Sequence, residues 1–338
     1  MSFVASQQKR MPTIAIVAEL AGVSRQTVSN AVRAPERVSP ETLARVMEAI
    51  RQVDYRPNRS AQALRARSSG LLAYRCHRPD ENENLVLDRF LHDLSRAADE
   101  VDHHITLVSP GSVEQEIETY RELHRSGSVD GFILSGTHRS DVRFGALALA
   151  DIPFVSFGRN WDDPTATTWV DVDGRHGTRE ATEHFWRTGH RSIAFIGWAD
   201  DGASGDDRRQ GYRDAMANYR RHPVEVSTLD RLDAAEAAAS ELLGRADPPT
   251  AFVCVSDTMA LGCAWAAQRA GRTLGTELGI MGFDDSALTM IARPRLSSIH
   301  QPTDLVARKI VKLLLGVASA DGPTGTLLAP TLVHRGSS

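Results

Sequence analysis

Val17 to Val32 read VAELAGVSRQTVSNAV, and two short helical patterns meet there at Gly22. Just upstream, Ile14 joins Val17 and Ala18 at i, i+3, i+4, with Ala21 three further on, which gives a first helix its apolar face. Gly22 breaks that helix where a tight turn needs a residue without Cβ. Ser24 supplies a hydroxyl cap for a second helix, whose buried face falls to Val28 and Val32, with Val23 on the same core side. Two helices across a short glycine turn make the helix-turn-helix pattern. The polar face of the second helix carries Arg25, Gln26, Ser29 and Asn30, residue types that hydrogen-bond to base edges in a major groove. A plain helical hairpin with a solvated polar face has the same pattern, so this stretch alone leaves both readings open.

Working outward, Ser39-Pro40-Glu41-Thr42 is a helix start: a serine cap, proline at the first helical position and an acid in the first turn. Leu43, Val46, Met47, Ile50 and Val53 give that third helix an apolar face. Pro57 disfavours helix at Arg56, so a new element begins there. The segment from Asn58 to Arg67 is too short to be stable as an isolated helix.

Three segments now stand in order: TIAIVAELAGVSRQTVSNAV, RVSPETLARV and YRPNRSAQAL. Their order and spacing resemble the DNA-binding headpiece and hinge of the LacI/GalR family of bacterial transcription regulators. The resemblance runs on through VDGFILS, EHFWRTGHRSIAFIGW, RRQGYRDAM, VCVSDTMALG, IMGFDDS and SSIHQP, from about Thr13 to Arg335.

The charge distribution points the same way. The 338 residues carry a net charge of −4. Up to Gly70 there are 11 Lys+Arg against 5 Asp+Glu, a balance of +6, and the remainder holds 28 against 38, a balance of −10. A basic N-terminal block on an acidic body fits nucleic-acid binding confined to the first block. Cys76, Cys254 and Cys263 form no CxxC pair, and Cys254 sits in an apolar strand-like run, so buried thiols are expected rather than a disulfide or zinc. The start MSFVASQQKRM has no apolar run of signal-peptide length and nothing approaches a membrane span, so a cytoplasmic protein is expected. No HExxH, GxSxG, GxxxxGK[ST] or GxGxxG motif appears, so no enzyme, cofactor or metal is expected.

From Leu71 onward, apolar runs alternate with amphipathic helical stretches in two series. Such alternation implies parallel sheets with helices on both faces, and ligands bind at strand C-termini. The expected fold is a small all-α helix-turn-helix headpiece plus an α/β effector domain of two doubly wound parallel-sheet lobes. The resemblance implies a periplasmic-binding-protein-like body with three crossovers, near Val170–Asp173, Leu296–Gln301 and Pro323–Leu328. The expected boundaries are 12–56 for the headpiece, 57–70 for hinge and linker, and 71–335 for the effector and dimerisation domain. Within it, lobe 1 takes 71–170 and 299–322, and lobe 2 takes 171–297 and 323–335.

The resemblance also implies roles. Arg25 and Gln26 occupy the two positions that most strongly set base preference. Asn30 stands where many members have Arg, which shifts preference from guanine towards adenine. Arg33 and Arg37 match loop positions reaching groove or backbone, while Thr13, Ser24, Thr27, Ser29 and Asn58 fix register on phosphates. Leu64 would enter a minor-groove step of the DNA, with small Ala61 close to the groove floor and Arg59 and Arg65 on phosphates.

For the effector, Arg208 and Asp284 match the family's ligand-contacting arginine and carboxylate, a pair suited to a polyhydroxylated molecule. Arg159 and Trp161 follow a strand, and a Trp face is a platform for a sugar ring. Asp173 lies at a crossover, and Trp198 and Arg75 end strands, where a plain structural role is the favoured reading for both; Asp257 equally fits a helix cap. Where the family often has a stacking aromatic, this chain has Asp230-Arg231-Leu232, which puts the usual ligand class in question. The expected function is a homodimeric repressor of carbohydrate-use genes, released from double-stranded operator DNA by a mono- or disaccharide. A regulator answering to a purine or nucleoside, and a sugar-binding protein without DNA activity, are the alternatives. No C-terminal heptad run suggests a tetramer.

Overall fold

The computed structural model describes residues 12–55, 68–76, 85–199, 202–316 and 325–338. The residues named for the hinge, Asn58, Arg59, Ala61, Leu64 and Arg65, lie outside them. The chain divides into two units, 1–69 and 70–338.

In the first unit, α1 (Ile14–Ala21) ends at Gly22, whose φ of 63° is the left-handed conformation that glycine adopts without cost. Helix α2 (Arg25–Arg33) starts at Ser24, whose hydroxyl accepts from the Thr27 N–H at 3.0 Å. Helix α3 (Pro40–Val53) starts at Ser39, which accepts from the Thr42 N–H in the same way. Val17, Val28 and Val46 are fully buried at the centre of the three helices, with Ala18, Ala21, Ala31 and Ala49 closing around them. Each such valine contributes ~1.5–3 kcal/mol. Val32 and Met47, expected in this core, are exposed instead. Small Ala31 and Ala49 take the buried i+3 places after Val28 and Val46, and the larger side chains fall at the rim of each stripe.

The second unit contains two sheets of the same design. The strands of the first are β1 (Leu71–Arg75), β2 (His104–Val108), β3 (Gly131–Leu134), β4 (Phe154–Phe157), β5 (Trp169–Val172) and β11 (Gly325–Leu328). Their spatial order is β2-β1-β3-β4-β5-β11, and every pairing is parallel. The strands of the second are β6 (Ile193–Trp198), β7 (Val224–Thr228), β8 (Ala251–Cys254), β9 (Gly279–Asp284), β10 (Ser297–His300) and β12 (Thr331–Val333). They run β7-β6-β8-β9-β10-β12, with only β12 antiparallel.

Helices cover both sheets: α4 (Leu85–Asp99), α5 (Val113–Arg125), α6 (Val142–Leu149) and α11 (Thr303–Leu314) with the first, and α7 (Gly174–Arg187), α8 (Ala203–Asn218), α9 (Leu232–Leu243) and α10 (Asp257–Arg269) with the second. The central strands are buried on both faces, so β3 and β8 read as unbroken apolar runs rather than alternating ones.

The chain changes sheet after β5, after β10 and after β11. Two expected lobe boundaries therefore shift. The sequence assigns 323–335 to the second lobe, but β11 pairs with β5 in the first sheet. It starts the returning lobe 1 segment at 299, but Ile299 and His300 pair with Phe283 and Asp284 in the second sheet. Strand partners are a tertiary property, and these short strands carry no local mark of which sheet they join.

Candidate functional site

On the first unit, α2 presents Arg25 and Gln26 fully to solvent, with Ser29 and Asn30 half-buried beside them. The Gln26 amide donates to Asn30 Oδ1 at 3.0 Å, so the two amides are aligned one helical turn apart. Ser24 and Thr27 are occupied in the cap, their hydroxyls 2.9 Å apart. Thr13 precedes α1 and makes no side-chain cap. Arg33 closes α2, and Arg37 is exposed on the following turn beside Glu36. A free helix N-terminus flanked by cations and amides is a surface for phosphate and base edges.

The second unit has its candidate site where the order of the second sheet reverses. Strand β6 lies between β7 and β8, and the crevice opens beyond the strand C-termini at such a point. Trp198 ends β6, Asp230 follows β7, Ser256 and Asp257 follow β8, and Asp284 ends β9 with Ser286 just beyond. Arg208 reaches in from α8, and Leu85 and Val86 from the start of α4 in the other lobe. The crevice is partly open to solvent and has about 30 Å³ of free volume, room for one or two waters, so a sugar ring needs the lobes to part.

Arg208 is the sole cation of this lining among the described residues. Its Nη1 donates to the Val255 carbonyl at 2.6 Å, its plane lies 3.6 Å from the Phe283 ring centre, and Nη2 sits 3.8 Å from Asp284 Oδ1. Burial pulls its pKa down, and the surrounding carboxylates, Asp284 foremost, push it back up. Asp257 accepts from Ser298 Oγ and from the Ser286 N–H, both at 2.6 Å. Burial and then the Asp284 charge raise its pKa to about 7. Gly282 makes room for it: a Cβ there would lie 2.2 Å from Asp257 Oδ1. Asp284 accepts from Gln301 at 2.6 Å. Burial also raises Asp284, against the pull of Arg208. Asp230 is raised by burial while Ser256, donating at 2.6 Å, lowers it.

Of the residues read from sequence, the fold brings together Arg208, Asp284, Asp257 and Trp198. Four others do not line the cavity. Arg159 pairs with Asp171 at 2.8 Å and with Asp207 at 3.3 Å. Its guanidinium covers the Trp161 ring at 4.3 Å, so that face is no open platform for a sugar. Asp173 caps α7 by accepting from the His176 N–H. Arg75 turns to Glu116 at 3.7 Å, within the buried cluster of Glu116, Arg143 and Asp141 in the first lobe. Ser256 and Ser286 were not legible as site residues, because a serine after a strand is equally a cap, and Ser256 does cap α10.

Among the described residues, three arginines reach from the first lobe to the second. Arg89 on α4 donates to the backbone carbonyls of Asp284, at 3.1 Å, and Asp285. Arg139 meets Asp206 at 3.3 Å, and Arg159 meets Asp207. Opening the cleft must loosen them.

Comparison with known proteins supports both units. Residues 13–58 match the family described as bacterial regulatory proteins, lacI family, and residues 182–338 match the periplasmic binding protein-like domain. The HTH-type transcriptional regulator CelR of Thermobifida fusca is 33% identical over 91% of this chain and 92% of its own. The HTH-type transcriptional regulator AglR of Rhizobium meliloti (strain 1021) is 33% identical over 95% of this chain and 92% of its own. A solved complex of the transcriptional regulator CelR with cellobiose superposes with a TM-score of 0.69 at 29% identity, over 97% of this chain and all of that one. With a headpiece, a two-sheet body and relatives matching along nearly its whole length, the chain belongs to the LacI family of bacterial transcriptional regulators.

Proposed function

We propose that this DNA-binding regulator is a repressor, released from its operator by a small carbohydrate. The observation that carries the reading is the pairing of Arg208 with Asp284 at the C-terminal ends of the second sheet, in the same chain as an exposed Arg25–Gln26 face. A guanidinium beside carboxylates in a small polar crevice suits hydroxyl groups, which both donate and accept. The named complex of CelR with cellobiose supports a sugar in this kind of cleft.

On DNA, Arg25 and Gln26 read base edges, with Asn30 aligned by Gln26 to favour adenine. Thr13, Ser29 and Arg37 hold phosphates, and Ser24 and Thr27 act by capping the helix whose N-terminus faces the backbone. One headpiece covers one half-site, so a palindromic operator calls for a homodimer. Leu107 on the edge strand β2, and Trp265 and Ile291 in the second lobe, are exposed apolar side chains available to such a contact. No helix among the described residues is long and apolar enough to cross a membrane.

The test is a gel shift on the DNA upstream of the gene, at fixed salt, with and without a panel of mono- and disaccharides. Specific binding abolished by one sugar is the expected result. Binding strengthened by a sugar would make the protein a corepressed regulator, and no sugar dependence would remove the carbohydrate reading.

A further inference from the structure

The polar atoms around the cavity divide into two sets. Asp230 Oδ1 is held by Ser256, and Asp284 Oδ1 by Gln301, which leaves the second oxygen of each carboxylate without a hydrogen bond among the described residues. On the donor side, the Ser286 hydroxyl belongs to a residue only 5% exposed and makes no hydrogen bond. The indole N–H of Trp198, near enough to favour the charge of Asp230, also completes none. Buried polar atoms without partners are rare and costly, and atoms lining a cavity are satisfied by what enters it.

Charge limits what can enter. Asp230 and Asp284 face one guanidinium, and Arg208 is already bound to the Val255 carbonyl and stacked on Phe283. Among the described residues, nothing in the lining is left to neutralise an incoming anion.

We propose that Asp230 is a specificity-determining residue: with Asp284 it presents two open carboxylate oxygens that select an uncharged polyhydroxylated effector and exclude the acid built on the same ring. This rests on the carbohydrate reading of the cleft. Ring hydroxyls donate to the two carboxylates and accept from Ser286 and Trp198. A ring carboxylate donates nothing and meets like charge at close range, where the cost is large even at an effective dielectric of about 20.

The experiment is calorimetric titration of the full chain with matched pairs: glucose and glucuronate, galactose and galacturonate, cellobiose and cellobiouronate. The wild type should bind the neutral member of one pair on the order of a hundredfold more tightly than its acid. Asp230→Asn should weaken the neutral sugar by roughly tenfold, the loss of a charged acceptor, and should narrow the neutral-to-acid ratio. Because the ratio is measured within one protein, a partly misfolded variant does not mimic the effect. Equal or tighter binding of an acid by the wild type overturns the proposal. A ratio unchanged in Asp230→Asn overturns the role of Asp230. Failure of every sugar to bind is a different result, which brings down the carbohydrate reading and this inference with it.

Discussion

Asp257 is the residue whose chemistry is most distorted by its surroundings. It is fully enclosed, shares its pocket with Asp284 and has its pKa raised from 3.8 to about 7. The sign of its contribution to stability follows. Between about 4 and about 7 the folded protein holds a proton on this group that the unfolded chain has lost, so stability falls as pH rises through that window and is level above it. Asp257→Asn keeps an acceptor for the Ser286 N–H and turns an amide donor towards Ser298 Oγ, reversing the bond in which Ser298 donates. The difference in urea midpoint between wild type and variant should therefore move against the wild type from pH 4 to pH 7. A difference independent of pH would show that Asp257 titrates normally. At this scale the sequence showed Arg208 and Asp284 by their resemblance, but not the company they keep. Arg159, Trp161 and Asp173 look like ligand residues in the chain and are occupied by one another or by a helix end in the fold. Such pairing joins residues far apart in sequence and leaves no local trace.

Among the elements, the headpiece helices depend on their ends. Their core is small, and a unit of this size has a marginal one. Ser39→Ala should destabilise the full chain's headpiece transition by about 1 kcal/mol, measured by chemical denaturation, because the Thr42 N–H loses its acceptor. No change would mean that water replaces the cap. On α2, Arg25→Ala or Gln26→Ala should weaken operator binding by about 1–3 kcal/mol while leaving binding to random DNA nearly unchanged. Equal loss on both would reassign these side chains to phosphates. The helices and most strands were legible because their apolar spacing is local. β5 was not, because WVDV is four residues long and reads as well as a connection. α6 was not, because eight residues give little more than two turns of pattern.

For the molecule as a whole, the effector domain is a clasp. The cleft is narrow, and Arg89 ties α4 of one lobe to the backbone carbonyls of Asp284 and Asp285 on the other. The cavity carboxylate and the lobe contact are thus two ends of one residue. Asp284 and Asp285 both lie at positive φ, 103° and 51°. Arg89→Ala should let the lobes part more readily, and so raise the association rate of the sugar in stopped-flow intrinsic tryptophan fluorescence. An unchanged rate would mean that opening does not depend on this contact. A ligand shifts such an equilibrium only as far as it prefers one lobe arrangement.

On the proposed function, occupancy of the cleft governs DNA binding by the headpiece of the same chain. The most direct test is fluorescence anisotropy of a labelled upstream DNA fragment, titrated with the sugar that the gel shift identifies, for the wild type and for Arg208→Ala. The account predicts that the sugar releases the wild type from DNA, while Arg208→Ala binds the same DNA and is not released. Release of both proteins at the same sugar concentration would contradict it.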